Sequence, residues 1–357
     1  MTSICLSMIV KNEAHCIERC LNSVKPYIDY WIICDTGSTD NTEEIVRNCL
    51  KDIPGEFHKH EWEDFSTNRN KSLQLAKSKA DYIFIIDADD YLNVSNTETF
   101  KHINKLAYTI EFNHGPIVYS RIQLFSTKIQ AKYIGVLHEY LEIPLNIQSE
   151  PLQDCKIIYG ASGARSKDPL KYLNDAKVFE KALISEPHNV RYVFYGAQSY
   201  RDAGMKEESL KLYLQRSKMG GWIEEQYVSL LEAAKIIECL MPQDINKVEL
   251  AYLAAFNRHQ NRIEALAYLC SYCRKNSLFD KAYFYAKVGC NVAKPKDALF
   301  LETACYDWKI IDELAIAAYW IGKKQEAAAL NNALLKSGML PDSERERIIS
   351  NLAFSER

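Results

Sequence analysis

The sequence predicts two domains: an α/β domain on a mixed sheet over residues 1–168, then an all-α helical-repeat domain over 169–357. Three observations predict this. Up to about Gly160, short β-rich runs alternate with amphipathic helical stretches. The run Tyr82-Ile83-Phe84-Ile85-Ile86 is continuously apolar, as befits a strand covered on both faces. Beyond Asp168 the strand signal vanishes, and small residues recur at fixed offsets along Ala-, Leu- and Tyr-rich stretches.

In chain order, the strand candidates are Ile4–Val10, Tyr30–Cys34, Phe57–Trp62, Tyr82–Asp87, Pro116–Phe125, Lys132–Ile143 and Cys155–Tyr159. Between the first two, Ile17, Leu21 and Val24 fall at helical spacing. A second helix starts after Ser38-Thr39-Asp40-Asn41, where Asp40 can cap the free amides and Glu43 completes a capping box. A third, from Ser66 to Lys79, leads into the apolar strand. Strand–helix alternation implies parallel pairing, and the later strands, unbroken by long helices, imply an antiparallel excursion. Asp168-Pro169 then opens the helical half, since proline is tolerated in a first turn. There, Ala197, Tyr200, Gly204, Ser209 and Tyr213 share offsets with Cys270, Cys273, Ser277, Ala282 and Ala286, and with Ala315, Ala318, Gly322 and Ala327. Small residues let paired helices approach closely, the logic of tetratricopeptide (TPR) units of about 34 residues.

Composition excludes several classes. The chain has 357 residues, 47% of them hydrophobic, with a net charge of −3; at ~150 residues per domain this suits two or three cores. Only 13 Gly and 10 Pro exclude a collagenous or disordered chain. No apolar run reaches the roughly 20 residues of a membrane span, and the first strand-like run, Ile4–Val10, lacks a basic flank and is too short for a signal peptide. The slightly acidic balance carries no footprint for nucleic acid. Eleven scattered cysteines do not form a disulfide framework, and Cys270-x-x-Cys273 lacks a second pair for zinc. His15, Cys16 and Cys20 share a helix face but read as packing. The expectation is a soluble, cytoplasmic protein without a membrane span.

Chemistry gathers at strand ends in the first half. Asp87-Ala88-Asp89-Asp90 follows the buried strand, at the edge where parallel sheets bind ligands. No packing reason places three acids there, and Asp87 with Asp89 can hold a divalent cation. Cys34-Asp35-Thr36-Gly37-Ser38-Thr39-Asp40 passes from a strand into a helix N-terminus, which favours anions. Asp35 is either a ligand acceptor or a turn cap. Met8-Ile9-Val10-Lys11-Asn12-Glu13 closes the first strand with polar residues, and Asp64-Phe65-Ser66-Thr67-Asn68-Arg69-Asn70 offers Arg69 for phosphate or base.

These four segments, in this order, resemble family 2 glycosyltransferases with the GT-A fold. More narrowly, they resemble the branch fused to C-terminal TPR-like repeats. Val136-Leu137-His138-Glu139 is similar to a later His-Glu motif of that branch, and Gly163 to Pro169, Arg191 to Tyr195 and Gly221-Trp222 are similar to its helical half. The resemblance implies an inverting, metal-dependent glycosyltransferase that moves a sugar from a nucleotide-sugar, a UDP-sugar such as UDP-glucose or UDP-N-acetylglucosamine, to a peptide, protein or glycan. It implies a nucleotide-sugar site of Ile9, Val10, Glu13, Asp35, Arg69, Asp87 and Ala88, with Asp35 reading uracil; Arg165 either joins that site by closing over the diphosphate or belongs to a plain linker. It implies Asp89 as the direct metal ligand, Asp87 on the ribose or a metal-bound water, and His138 as a third ligand. Such an O/N set leans to Mn²⁺ over Mg²⁺. The general base lies between Glu139 and Asp90; on a regular strand Glu139 would face away from His138. One departure is Asp35-Thr36, where many relatives carry two acids. Two other readings are an interaction protein with a degenerate transferase domain, and a nucleotidyltransferase. The latter lacks its Gly-rich loop, whose place holds Lys11-Asn12-Glu13. A homodimer is compatible with such a chain.

Overall fold

The computed structural model describes residues 2–114, 117–160, 168–296 and 298–356. Two compact units divide between Ala182 and Leu183. This lies C-terminal to the expected seam at 168/169, because helix α4 (Lys171–Ser185) buries Asp175, Ala176 and Phe179 on its first turns.

Among the described residues the first unit carries ten strands. They are β1 (Ile4–Val10), β2 (Tyr30–Asp35), β3 (Gly55–Lys59), β4 (Tyr82–Ile85), β5 (Tyr91–Val94), β6 (Ala107–His114), β7 (Ile117–Ser126), β8 (Lys132–Ile134), β9 (Tyr140–Glu142) and β10 (Glu150–Ile158). Eight form one sheet in the order β3-β2-β1-β4-β7-β6-β10-β5. Strands β1 to β4 pair in parallel, whereas β7 runs antiparallel to both β4 and β6. The mixed sheet is as expected.

Alternation along the strands assigns the two faces. Leu6, Met8, Phe84 and Ile86 join helices α1 (Ile17–Val24) and α2 (Thr42–Cys49) in one core. Cys5, Ile32, Cys34, Ile83 and Ile85 form another with Leu73 and Ala76 of α3 (Phe65–Ala76). Ser7 reaches Ser72 of α3 through a 2.7 Å hydroxyl pair.

Four expectations change. The strand over Lys132–Ile143 is instead a two-stranded hairpin, β8 with β9. Its connection turns through left-handed backbone at Gly135 (φ 107) and His138 (φ 50). The third strand is Gly55–Lys59 rather than Phe57–Trp62. Strands β5 and β6 were not anticipated, although Tyr108, Ile110 and Phe112 show the period-2 burial of a strand. Glu43 closes no capping box; it binds Arg47 and Lys59.

The second unit is all helical. Helices α5 (Val190–Asp202), α6 (Lys206–Lys218), α7 (Ile223–Leu240), α8 (Ile245–Arg258), α9 (Glu264–Lys275), α10 (Phe279–Gly289), α11 (Ile310–Trp320), α12 (Lys324–Lys336) and α13 (Asp342–Ser355) each pack on the next, as TPR-like hairpins do. The fixed offsets reappear as geometry. Ala197, Cys270 and Ala315 are buried, and seven residues on, Gly204, Ser277 and Gly322 take left-handed backbone at each hairpin turn. The Ser209 hydroxyl donates to the Ala197 carbonyl (2.8 Å), and the Cys270 thiol to that of Ala282 (3.4 Å). Every cysteine is free. Among the described residues, no helix is long and apolar enough to cross a membrane.

Candidate active site

The C-terminal ends of β1, β2 and β4 meet at one edge of the sheet, as parallel pairing requires. The loops after β1 and β2 are laced together. Asn12, with φ 58, accepts from the Thr39 amide (2.7 Å) and donates its own amide to Ser38 Oγ (2.9 Å). Glu13 and Ala14 donate their amides to Thr42 Oγ1 and Asp40. Asparagine tolerates left-handed backbone better than most residues, which suits it to this corner.

Asp35 is buried, and its Oδ1 accepts from the amides of Gly37 (3.1 Å) and Ser38 (2.9 Å) and from the Ser38 hydroxyl (2.8 Å). One carboxylate oxygen therefore builds the turn. The other takes no hydrogen bond among the described residues. Gly37 needs its freedom, at φ 106. Ile9 is half-buried beside Val10, whose carbonyl accepts from the Thr36 amide (3.0 Å) and hydroxyl (3.2 Å).

The acidic turn follows β4 directly. Ala88 and Asp90 are buried; Asp87 and Asp89 are half-buried. Three long-range contacts shape it. Arg19 donates to the Asp89 carbonyl (2.7 Å), the Cys20 thiol to that of Asp87 (3.3 Å), and the Gly160 amide to Asp90 Oδ1 (3.0 Å). A Cβ at Gly160 would lie 1.8 Å from the Asp89 carbonyl oxygen, so residue 160 must be glycine. Burial, reinforced by Asp87, pushes the Asp90 carboxyl up to about 7.

Arg69 of α3 ties the site across the sheet edge. Its Nη2 donates to Asp87 Oδ1 and its Nε to Glu139 Oε1, both at 2.7 Å. The guanidinium lies over the Tyr133 ring, 5.3 Å from its centroid, and the side chain is 12% exposed. Burial raises the Asp87 carboxyl, but the charge of Arg69, with Arg121 behind it, holds it below the usual range. Arg121 is itself stacked on Phe112 and Tyr119.

Glu139 and Asp87 are thus brought together through Arg69. Next to Glu139 stands His138. It is exposed, its ring stacks with Phe179 at 6.3 Å, and its left-handed backbone breaks the strand alternation expected between 138 and 139. Asp87, Asp89 and His138 do not form a close metal-binding triad among the described residues. Three donor atoms do approach one another at Glu13, His15 and Cys16, all within 4.8 Å. There the Cys16 thiol donates to Glu13 Oε2 (3.2 Å), while Cys20 turns instead toward Asp87. Arg165 lies outside the described residues. Arg19, Arg121 and Gly160 were not singled out from sequence; each acts through partners far along the chain, which local spacing does not reveal.

Residues 5–111 match the model of Glycosyl transferase family 2. The SPbeta prophage-derived glycosyltransferase SunS of Bacillus subtilis (strain 168) is 28% identical over 234 residues, 60% of this chain and 53% of that protein. A TPR repeat-containing protein of Synechococcus elongatus is 33% identical over 150 residues, 40% of this chain and 36% of that protein. The chain spans about half the length of the first of these relatives and less of the second. Among solved structures, MamA aligns at TM-score 0.38 and 12% identity, covering 50% of this chain and 95% of that one. The C-terminal part of a TPR repeat-containing protein from Cytophaga hutchinsonii aligns at TM-score 0.39 and 18% identity, covering 51% and 67%.

Proposed function

We propose that this chain, whose residues 5–111 match the Glycosyl transferase family 2 model, transfers a sugar from a nucleotide-sugar, a UDP-sugar, to a peptide, protein or glycan acceptor, with inversion. The observation that carries the reading is the acidic turn Asp87–Asp90 at the C-terminal end of β4, at the same sheet edge as the loops after β1 and β2. The free oxygen of Asp35 suits an N–H of uracil, and the loop around Ile9, Val10 and Glu13 suits the uridine face. Arg165 is assigned to the diphosphate from its place in the sequence and its charge, with a plain linker as the other role.

Asp87 and Asp89 supply hard oxygen donors at an accessible edge and fit Mn²⁺ or Mg²⁺; His138 fits as a ligand only if its loop rearranges. Such an ion, when bound, offsets the charge of the departing nucleoside diphosphate. An inverting transfer needs one carboxylate on the acceptor face to take the hydroxyl proton. Glu139 is our assignment, through the oxygen that Arg69 leaves free. Asp90, 3% exposed and bound to the Gly160 amide, suits a structural acid better. The helical repeats are assigned to the acceptor.

A thermal-shift panel of nucleotides and nucleotide-sugars, with and without Mn²⁺, tests the donor class. One UDP-sugar should stabilise strongly only with the ion, and Asp89→Ala should abolish UDP-sugar hydrolysis. Binding of no nucleotide-sugar at all would leave the interaction-protein reading in its place.

A further inference from the structure

Arg69 has to be held to bridge two carboxylates, because a long side chain loses rotamer freedom when fixed. The neighbouring residue on α3 supplies a clamp. Asn70 Nδ2 donates to the Tyr133 carbonyl (2.9 Å), and Asn70 Oδ1 accepts from the Tyr133 amide (2.7 Å). In an antiparallel pair every second residue turns its amide and carbonyl away from its partner strand. The Asn70 side chain takes both of these groups from Tyr133, as another strand would. Two consequences follow. The buried Tyr133 ring is set beneath the Arg69 guanidinium at 5.3 Å. Strand β8 also pairs Ile134 with Tyr140, the residue after Glu139, so the clamp sets where Glu139 stands relative to Asp87.

We infer that Asn70 and Tyr133 are positioning residues that lock Arg69 as an internal counter-cation between Asp87 and Glu139. The two carboxylates are then placed before donor or acceptor arrives. The inference rests on the glycosyl-transfer reading for its kinetic part only. Preorganisation of this kind acts on the chemical step more than on donor binding.

The test uses the full chain and two readouts. In ¹H–¹⁵N spectra the Arg69 Nε–H should exchange slowly in the wild type, at least tenfold faster in Asn70→Ala, and slowly again in Tyr133→Phe, which keeps the ring. In UDP-sugar hydrolysis with Mn²⁺, Asn70→Ala should lower kcat at least tenfold with donor KM within threefold. Added to Arg69→Ala, it should cost less than twofold more, because it acts through Arg69. Unchanged Nε–H exchange in Asn70→Ala, or losses that multiply in the double variant, would overturn the inference. Should Asn70→Ala not fold, Tyr133→Leu removes the ring and its hydroxyl while keeping the backbone that Asn70 holds, and it is expected to give the same two changes through the lost ring. Absence of turnover in the wild type would count against the glycosyl-transfer reading, while the exchange rates still decide the clamp.

Discussion

A methyl group at residue 160 would collide with the backbone that carries the acidic turn. Gly160→Ala places Cβ 1.8 Å from the Asp89 carbonyl oxygen, and that oxygen is already anchored by Arg19. Forced overpacking of this kind costs about 1–3 kcal/mol. The expected outcome is a lower Tm together with at least a tenfold loss of UDP-sugar hydrolysis, whereas Gly338→Ala, in the other compact unit, leaves hydrolysis unchanged. At this scale the sequence exposed the chemistry-bearing residues but not their wiring. Asp87 and Asp89 stand out because acids after five apolar residues have no packing role. Nothing near Asp35 shows that one of its oxygens is consumed by Gly37 and Ser38.

Among elements, the helical hairpins and the edge of the sheet each carry a prediction. Ser277 occupies the left-handed turn between α9 and α10 at φ 59, where the equivalent turns use Gly204 and Gly322. Left-handed backbone costs a non-glycine residue roughly 1–2 kcal/mol, partly offset by the entropy glycine loses on folding. Ser277→Gly should therefore stabilise by about 0.5 kcal/mol, and Gly204→Ala or Gly322→Ala should destabilise by about 1 kcal/mol, each read from urea unfolding. At the sheet edge, Glu56 of β3 accepts from Lys79, Tyr30 and His58, which lower its carboxyl from 4.5 to about 2. A lowered folded pKa contributes stability above the unfolded value and loses it as pH falls toward the folded one. Glu56→Gln should thus lower stability at pH 7, with the difference closing between about pH 4.5 and 2. The repeat offsets were legible because each hairpin is local in sequence. Strand β5 was not, since four residues carry too little periodicity, and the β8–β9 hairpin looks like one strand in sequence because apolar residues continue through its loop.

For the whole molecule, two compact units with separate cores predict two calorimetric transitions. A donor nucleotide-sugar with Mn²⁺ should raise only the one belonging to residues 1–182. At 100-fold excess over Kd the linkage is worth about 2.7 kcal/mol. A single transition that shifts as a whole would show that the units unfold together. By itself the sequence determined the mixed α/β sheet, the helical repeats and the order of four strand-end motifs, because periodicity and punctuation are properties of neighbours along the chain. Only the tertiary structure decided which charges meet. Arg69 finds Asp87 18 residues away and Glu139 70 residues away, and Gly160 closes on a turn 70 residues behind it. Those encounters depend on the strand order β2-β1-β4-β7 and on the left-handed corner at His138. Neither is written in any local spacing, because convergence is fixed by how the sheet is assembled.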